Sequence, residues 1–360
     1  MFRSRRARRL TGALASALLL LTAATACGDD SDTDASDTDA SDTEAKASAS
    51  GKSAFPVTIA HKYGSTTVDA EPKRIVTVGL TDQDSVLALG TVPVGTTEWL
   101  GGYKGAIGPW AEDKLGGAEA PTVLKDTGTG PQVEKIAALK PDLILAVYGG
   151  LTKEQYESLS KFAPVVAQPK EYNDWGVPWQ EQTETIGKAL GKSEEAAKVV
   201  ADTEAKIEAA AGEHPEFKGA SAVMATPYEG MFVFGSQDAR SRLLTGLGFS
   251  LPKDLDKAIG DQFGANISKE RTDLLDQDAV VWIVADVDKE SGKLHKDASY
   301  KDLTVVKEGR EVFVNESSDY GNATSFVSPL SLPYVVERLV PQLAAAVDGK
   351  PDTAVEQPAD

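Results

Sequence analysis

One pattern occurs twice in this chain of 360 residues. Glu134 stands eight residues before Asp142, which precedes the apolar run Leu143 to Val147. Glu270 stands eight residues before Asp278, which precedes Ala279 to Val284. In each copy the glutamate opens a short helical stretch and the aspartate leads into an apolar strand. Two copies predict one α/β unit used twice. A long helix candidate, Ser193 to Ala211, lies between them, with Ala196, Val200, Thr203, Ile207 and Ala210 on one face. Ser193 is the expected cap, Glu194 and Glu195 suit the dipole, and Gly212 and Pro215 are the expected stop. At 1.5 Å per residue the helix is roughly 30 Å long, about the width of a small domain.

Further strands are expected at Arg74 to Gly79, Val165 to Ala167, Ser221 to Ala225, Met231 to Phe234 and Glu311 to Val314. Helical patterns separate the first of these, at Gln132 to Leu139 and Lys153 to Phe162. Strand, helix, strand at this spacing predicts an α/β fold with a parallel sheet covered by helices.

The N-terminus has a different texture. Arg3, Arg5, Arg6, Arg8 and Arg9 precede an apolar run from Leu10 to Ala26 that is broken by small residues. That layout reads as a signal peptide, residues 1–26, rather than a membrane span. Ala24-Thr25-Ala26-Cys27 resembles a lipobox, although Ala24 stands where that motif usually has leucine. Cys27 is the sole cysteine. A lone thiol is out of place in an oxidising exterior, and lipidation would account for it. Gly28 to Ser50 carries eight carboxylates against one lysine and no large apolar residue. It is expected to stay disordered, so residues 27–54 read as an acidic tether. The formal charge of −18 disfavours nucleic acid and anionic lipid.

The chemistry of the common enzymes is missing. The three histidines, His61, His214 and His295, are far apart, lack metal-ligand spacing and are expected at the surface. There is no Gly-x-Ser-x-Gly elbow, no phosphate-binding loop and no cysteine nucleophile. A binding protein, not an enzyme, is the expectation, with no metal bound by side chains.

Aromatic residues and arginines instead collect at expected strand ends. They are Trp99, Tyr103, Trp110, Tyr148, Tyr228, Arg240, Arg242, Tyr320 and Phe326. Arg240 and Arg242 are expected just before a helix at Leu243 to Leu247. Ligands of parallel α/β sheets bind beyond the carboxyl ends of strands, where these side chains would wall a cleft. Trp175 and Trp179 are expected to pack a junction between the two halves.

Residues 55–348 resemble class III substrate-binding proteins of ABC transporters, the iron–siderophore and cobalamin type. The resemblance runs through Pro72 to Val76, Leu87 to Gly95, Ala138 to Ile144, Ala163 to Val166 and Ile186 to Gly191. It implies two Rossmann-like lobes with parallel-rich sheets, at 55–178 and 216–348. Between them lies a helical segment, 179–215, whose connecting helix is 193–211. Residues 349–360 are expected to be a flexible tail. The resemblance also implies docking to an ABC permease through one glutamate per lobe, Glu134 and Glu270.

Residues 81–99 and the pair Arg240 and Arg242 resemble the siderophore branch more than the cobalamin branch. The ligand so implied is a ferric siderophore of hydroxamate type, whose chelator fills the iron's coordination sphere. The protein would then be a monomer held at the outer face of the cell membrane by the lipid on Cys27. Cobalamin or haem in the same fold, a lipid-anchored hydrolase, and a surface sensor remain open at this point.

Overall fold

A computed structural model describes residues 54–125 and 130–358. Residues Lys52–Asp360 form one compact unit. The signal segment 1–26, Cys27 and nearly all of the tether lie outside the described residues.

The first sheet contains β3 (Ile75–Thr77), β4 (Gly95–Glu98), β5 (Thr122–Lys125), β6 (Leu143–Ala146) and β7 (Val165–Ala167). Its strand order is β5-β4-β3-β6-β7, and every pairing is parallel. Helices α1 (Asp82–Ala88), α2 (Val133–Ala138) and α3 (Lys153–Leu159) supply the crossovers. The second sheet contains β8 (Ala222–Thr226), β9 (Met231–Phe234), β10 (Gly264–Ile267), β11 (Ala279–Val284) and β12 (Glu311–Asn315). Its order, β10-β9-β8-β11-β12, repeats that of the first. One strand departs: β9 is antiparallel to β8 and β10, while β8, β11 and β12 are parallel. Residues 227–230 join β8 to β9, too few for the crossover that a parallel pair requires.

The doubled pattern corresponds to β6 and β11, which hold the same place in the two sheets. Each is buried along its whole length. Alternate residues enter opposite cores: Leu143 and Leu145 one, Ile144 and Ala146 another. In β11, Val281 and Ile283 face one core and Val280, Trp282 and Val284 the other. This is the period of two of a strand covered on both faces. The leading aspartates also match. Asp142 accepts from the backbone N–H of Lys73 and Arg74, both at 2.8 Å, and Asp278 from that of Ser221 at 2.8 Å. Each aspartate therefore ties the start of its strand to the strand beside it.

Helices α4 (Trp179–Ala189) and α5 (Ser193–Glu213) connect the sheets. Ala196 packs into the first core, whereas Val200 and Ile207 pack into the second. One helix thus bridges both. Ser193 is its first helical residue rather than its cap, and Lys192 takes the cap position without a side-chain bond. The helix passes through Gly212 and ends at Glu213, before Pro215. Trp179 lies in the core of the second sheet. After β9 come α6 (Ala239–Gly246) and α7 (Leu255–Ile259). The chain closes with α8 (Val287–Leu294), α9 (Thr304–Lys307), α10 (Asp319–Phe326) and α11 (Ser331–Ala346).

Some features depart from the sequence reading. A hairpin, β1 (Val57–His61) with β2 (Gly64–Val68), precedes the first sheet. His61 is buried there rather than exposed, and its Nε2 lies 2.9 Å from Thr66 Oγ1. The segment expected to be a flexible tail packs against the body: Gln342 Nε2 donates to the Glu356 carbonyl at 3.0 Å, and Val355 lies on the second core. Among the described residues no helix is long and apolar enough to cross a membrane.

Candidate functional site

The carboxyl ends of strands from both sheets converge on a cavity of about 460 Å³. Trp99, Leu100 and Gly101, just beyond β4, form one wall. Thr226 at the end of β8, Phe234 at the end of β9, and Glu316 beyond β12 face it. A second cavity of about 270 Å³ lies at the carboxyl ends of the first sheet, lined by Gly79, Thr97, Lys125, Gly149, Gln155 and Trp175 among others.

The expected site residues separate into groups. Trp99 and Arg240 line the larger cavity. Phe326 is buried behind Trp99, with ring centroids 5.4 Å apart, and meets Trp110 at 5.0 Å. Trp110 donates from Nε1 to Asp84 at 2.8 Å. Tyr103 packs edge-on to Trp110, and its hydroxyl donates to Asp319 at 2.7 Å. These aromatics join the two lobes beside the cavity. Their pairing across the sequence follows from topology, so sequence spacing could not show it.

Arg240 is the best-held group. Its Nε and Nη2 donate to the two oxygens of Asp238 at 2.8 and 2.7 Å, and its guanidinium lies 3.7 Å from the centre of the Phe234 ring. Burial opposes its charge, but Asp238 more than offsets this and its pKa lies above the ordinary value. Arg240 and Arg242 fall within α6, not before it, because Asp238 caps that helix by accepting from the Arg240 N–H at 2.8 Å.

Arg242 is turned elsewhere. Its Nη1 donates to the Gly176 carbonyl at 2.8 Å, and it borders a depression with Tyr172 and Glu181. Tyr148 is buried and lines neither cavity. Burial first, and the negative charge of Asp238 next, push its hydroxyl pKa up. Seven of the nine expected residues, all but Trp99 and Arg240, line neither cavity. Tyr320 is a core residue, 2 % exposed, whose hydroxyl donates to Gln342 at 2.9 Å; α10 turns it inward. Tyr228 is 63 % exposed on the β8–β9 turn and lines neither cavity.

Sequence reasoning missed Phe234, read only as strand, and Asp238, whose signal is its place two residues before Arg240. Trp175, expected at the junction, borders the smaller cavity and also meets Phe263 of the second lobe at 6.0 Å. Asn173 adds a second bridge, donating to the Asp261 carbonyl at 2.6 Å.

The stretch from Thr81 to Asp84 is buried and supports the site rather than lining it. Asp82 accepts from the N–H groups of Val147 and Tyr148 at 2.8 and 3.0 Å, and from Gln182 at 2.8 Å. Gly79 permits this, because a Cβ there would lie 2.2 Å from the Asp82 carboxylate. Asp84 accepts from Trp110 and from Ser328, beyond α10. Burial raises its carboxyl to about 6 despite these two donors. Glu134 and Glu270 are exposed, one in the first turn of α2 and the other in the first turn of a 3-10 helix, Lys269–Leu275.

Residues 75–314 match the family described as periplasmic binding protein. An iron(3+)-hydroxamate-binding protein, FhuD of Bacillus subtilis, is 28% identical over 341 residues, covering 92% of this chain and 97% of that one. A putative ABC transporter substrate-binding lipoprotein of the same organism, YhfQ, is 28% identical, with 72% and 81% covered. Among solved structures, PiaA of Streptococcus pneumoniae in complex with ferrichrome superposes with a TM-score of 0.73 at 29% identity, covering 82% of this chain and 99% of that one.

Proposed function

Since this chain belongs to the periplasmic binding protein family, we propose that it captures a ferric siderophore of hydroxamate type between its lobes and delivers it to an ABC permease. The observation that carries this reading is the larger cavity, where Trp99 of one lobe faces Arg240 and Phe234 of the other. Its volume of about 460 Å³ suits a small-molecule ligand. Aromatic faces would pack the chelator scaffold, and the arginine would meet the oxygens around the iron. The iron is cargo within its chelator, so the protein needs no ligands of its own for it. Among the described residues no three or more His, Cys, Asp and Glu side chains gather as a metal site. The iron(3+)-hydroxamate-binding relative and the ferrichrome-bound structure support this ligand class.

In this reading the chain is a monomeric binding protein rather than an enzyme. Cleavage before Cys27 and lipidation there would hold it at the outer face of the cell membrane. Glu134 and Glu270 would meet cationic groups on the permease.

Tryptophan fluorescence tests the ligand. Titration of the unit Lys52–Asp360 with ferrichrome is expected to quench emission with sub-micromolar affinity. Response to cobalamin or haem, with none to any ferric chelate, would overturn the reading.

A further inference from the structure

The charge balance of the cleft bears on which ferric complexes it accepts. The charged side chains among the described residues lining the two cavities are Arg240, Glu316 and Lys125. Glu316 and Lys125 are exposed. Arg240 is the least exposed of the three, its side chain 13 % exposed, and its partner Asp238 is buried at 1 %. Two of its three nitrogens donate to that carboxylate and one face lies on Phe234. Nη1 has no hydrogen bond to the protein among the described residues, so the arginine keeps a donor while its net charge is cancelled. A largely buried ion pair of this geometry presents a directed dipole instead of a free cation.

We infer that Asp238 is a specificity-determining residue: by cancelling the charge of Arg240, it fits the cleft to electroneutral ferric complexes and against anionic ones. This rests on the siderophore reading above. Iron held by three hydroxamates carries no net charge, because each hydroxamate loses one proton. Iron held by three catecholates is strongly anionic, because each loses two, and ferric citrate complexes are anionic too. Desolvating such an anion between the lobes requires uncompensated cations. Arg240 would supply one only without Asp238.

Asn at this position retains a helix cap and nearly the same shape, so D238N changes charge above all. The test uses the full-length protein in detergent, titrated by tryptophan fluorescence with ferrichrome and with a ferric tris-catecholate. The readout is the ratio of the two affinities. Wild type is expected to favour ferrichrome by at least about tenfold, and D238N to shrink that preference about tenfold. R240Q leaves Asp238 unpaired and is expected to widen the preference. A change of opposite sign on removing each partner is not what a merely structural role produces. If D238N fails to melt cooperatively, R240Q alone decides. A ratio that moves by less than about twofold in the folded variants overturns the inference. So does a wild type that favours the catecholate, which leaves siderophore capture standing. Wild type that binds no ferric chelate overturns the siderophore reading, and this inference with it.

Discussion

Asp84 shows how a single side chain can serve two lobes at a cost. Its carboxylate joins Trp110 of the first lobe to Ser328, beyond α10. Its neighbours are uncharged donors, and burial raises its carboxyl to about 6. The sign follows from linkage. Between about pH 4 and 6 the folded chain holds a proton at Asp84 that the unfolded chain has released, so stability from this group falls as pH rises through that window. Above it the full penalty, roughly 3 kcal/mol for a shift of this size, is present. D84N removes the ionisation. The difference in urea-unfolding free energy between D84N and wild type is therefore expected to move in favour of D84N between about pH 4.5 and 7. A difference independent of pH would contradict that account.

At the scale of elements, the contact between α4 and α5 sets how closely the connecting helix sits against the first lobe. Gly187 makes it possible. A Cβ there would lie 2.2 Å from the Ala196 Cβ and 3.1 Å from the Lys192 carbonyl oxygen. Both neighbours belong to the start of the connector, and Ala196 is fully buried. Gly187→Ala must push the two helices apart, although alanine is the better helix former. A loss of about 1–3 kcal/mol is expected in chemical denaturation. Gly212 lies in the same connector, but a Cβ added there would meet nothing within 4 Å. Gly212→Ala is expected to cost nothing or to stabilise slightly.

For the whole molecule, the docking role proposed for Glu134 and Glu270 makes a prediction distinct from the one for ligand capture. Glu134 and Glu270 are exposed in equivalent copies of the doubled pattern, although Gln132 and Ile136, on either side of Glu134, border the smaller cavity. Neither glutamate lines a cavity. Reversing both charges, E134K with E270K, is expected to leave ferrichrome affinity within about twofold while reducing iron uptake by cells at least about tenfold. Lost affinity in the double variant would contradict the docking role.

The two-unit α/β architecture, the interior strands β6 and β11, and the bridging helix were legible in the sequence. All three rest on local periodicity and on burial that hydrophobic spacing reports directly. Trp99 and Arg240, both expected near strand ends, line the larger cavity, Trp99 from the loop after β4 and Arg240 from within α6. Which aromatics line the larger cavity depended on the tertiary fold. Tyr320 and Phe326 lie in one helix, yet the former bonds to Gln342 in the core and the latter backs Trp99. The reversal of β9 and the pairing of Asp238 with Arg240 were likewise settled by structure. A strand's direction follows from loop length and the sheet it joins, and the charge of an arginine in a cleft follows from the partner folded beside it.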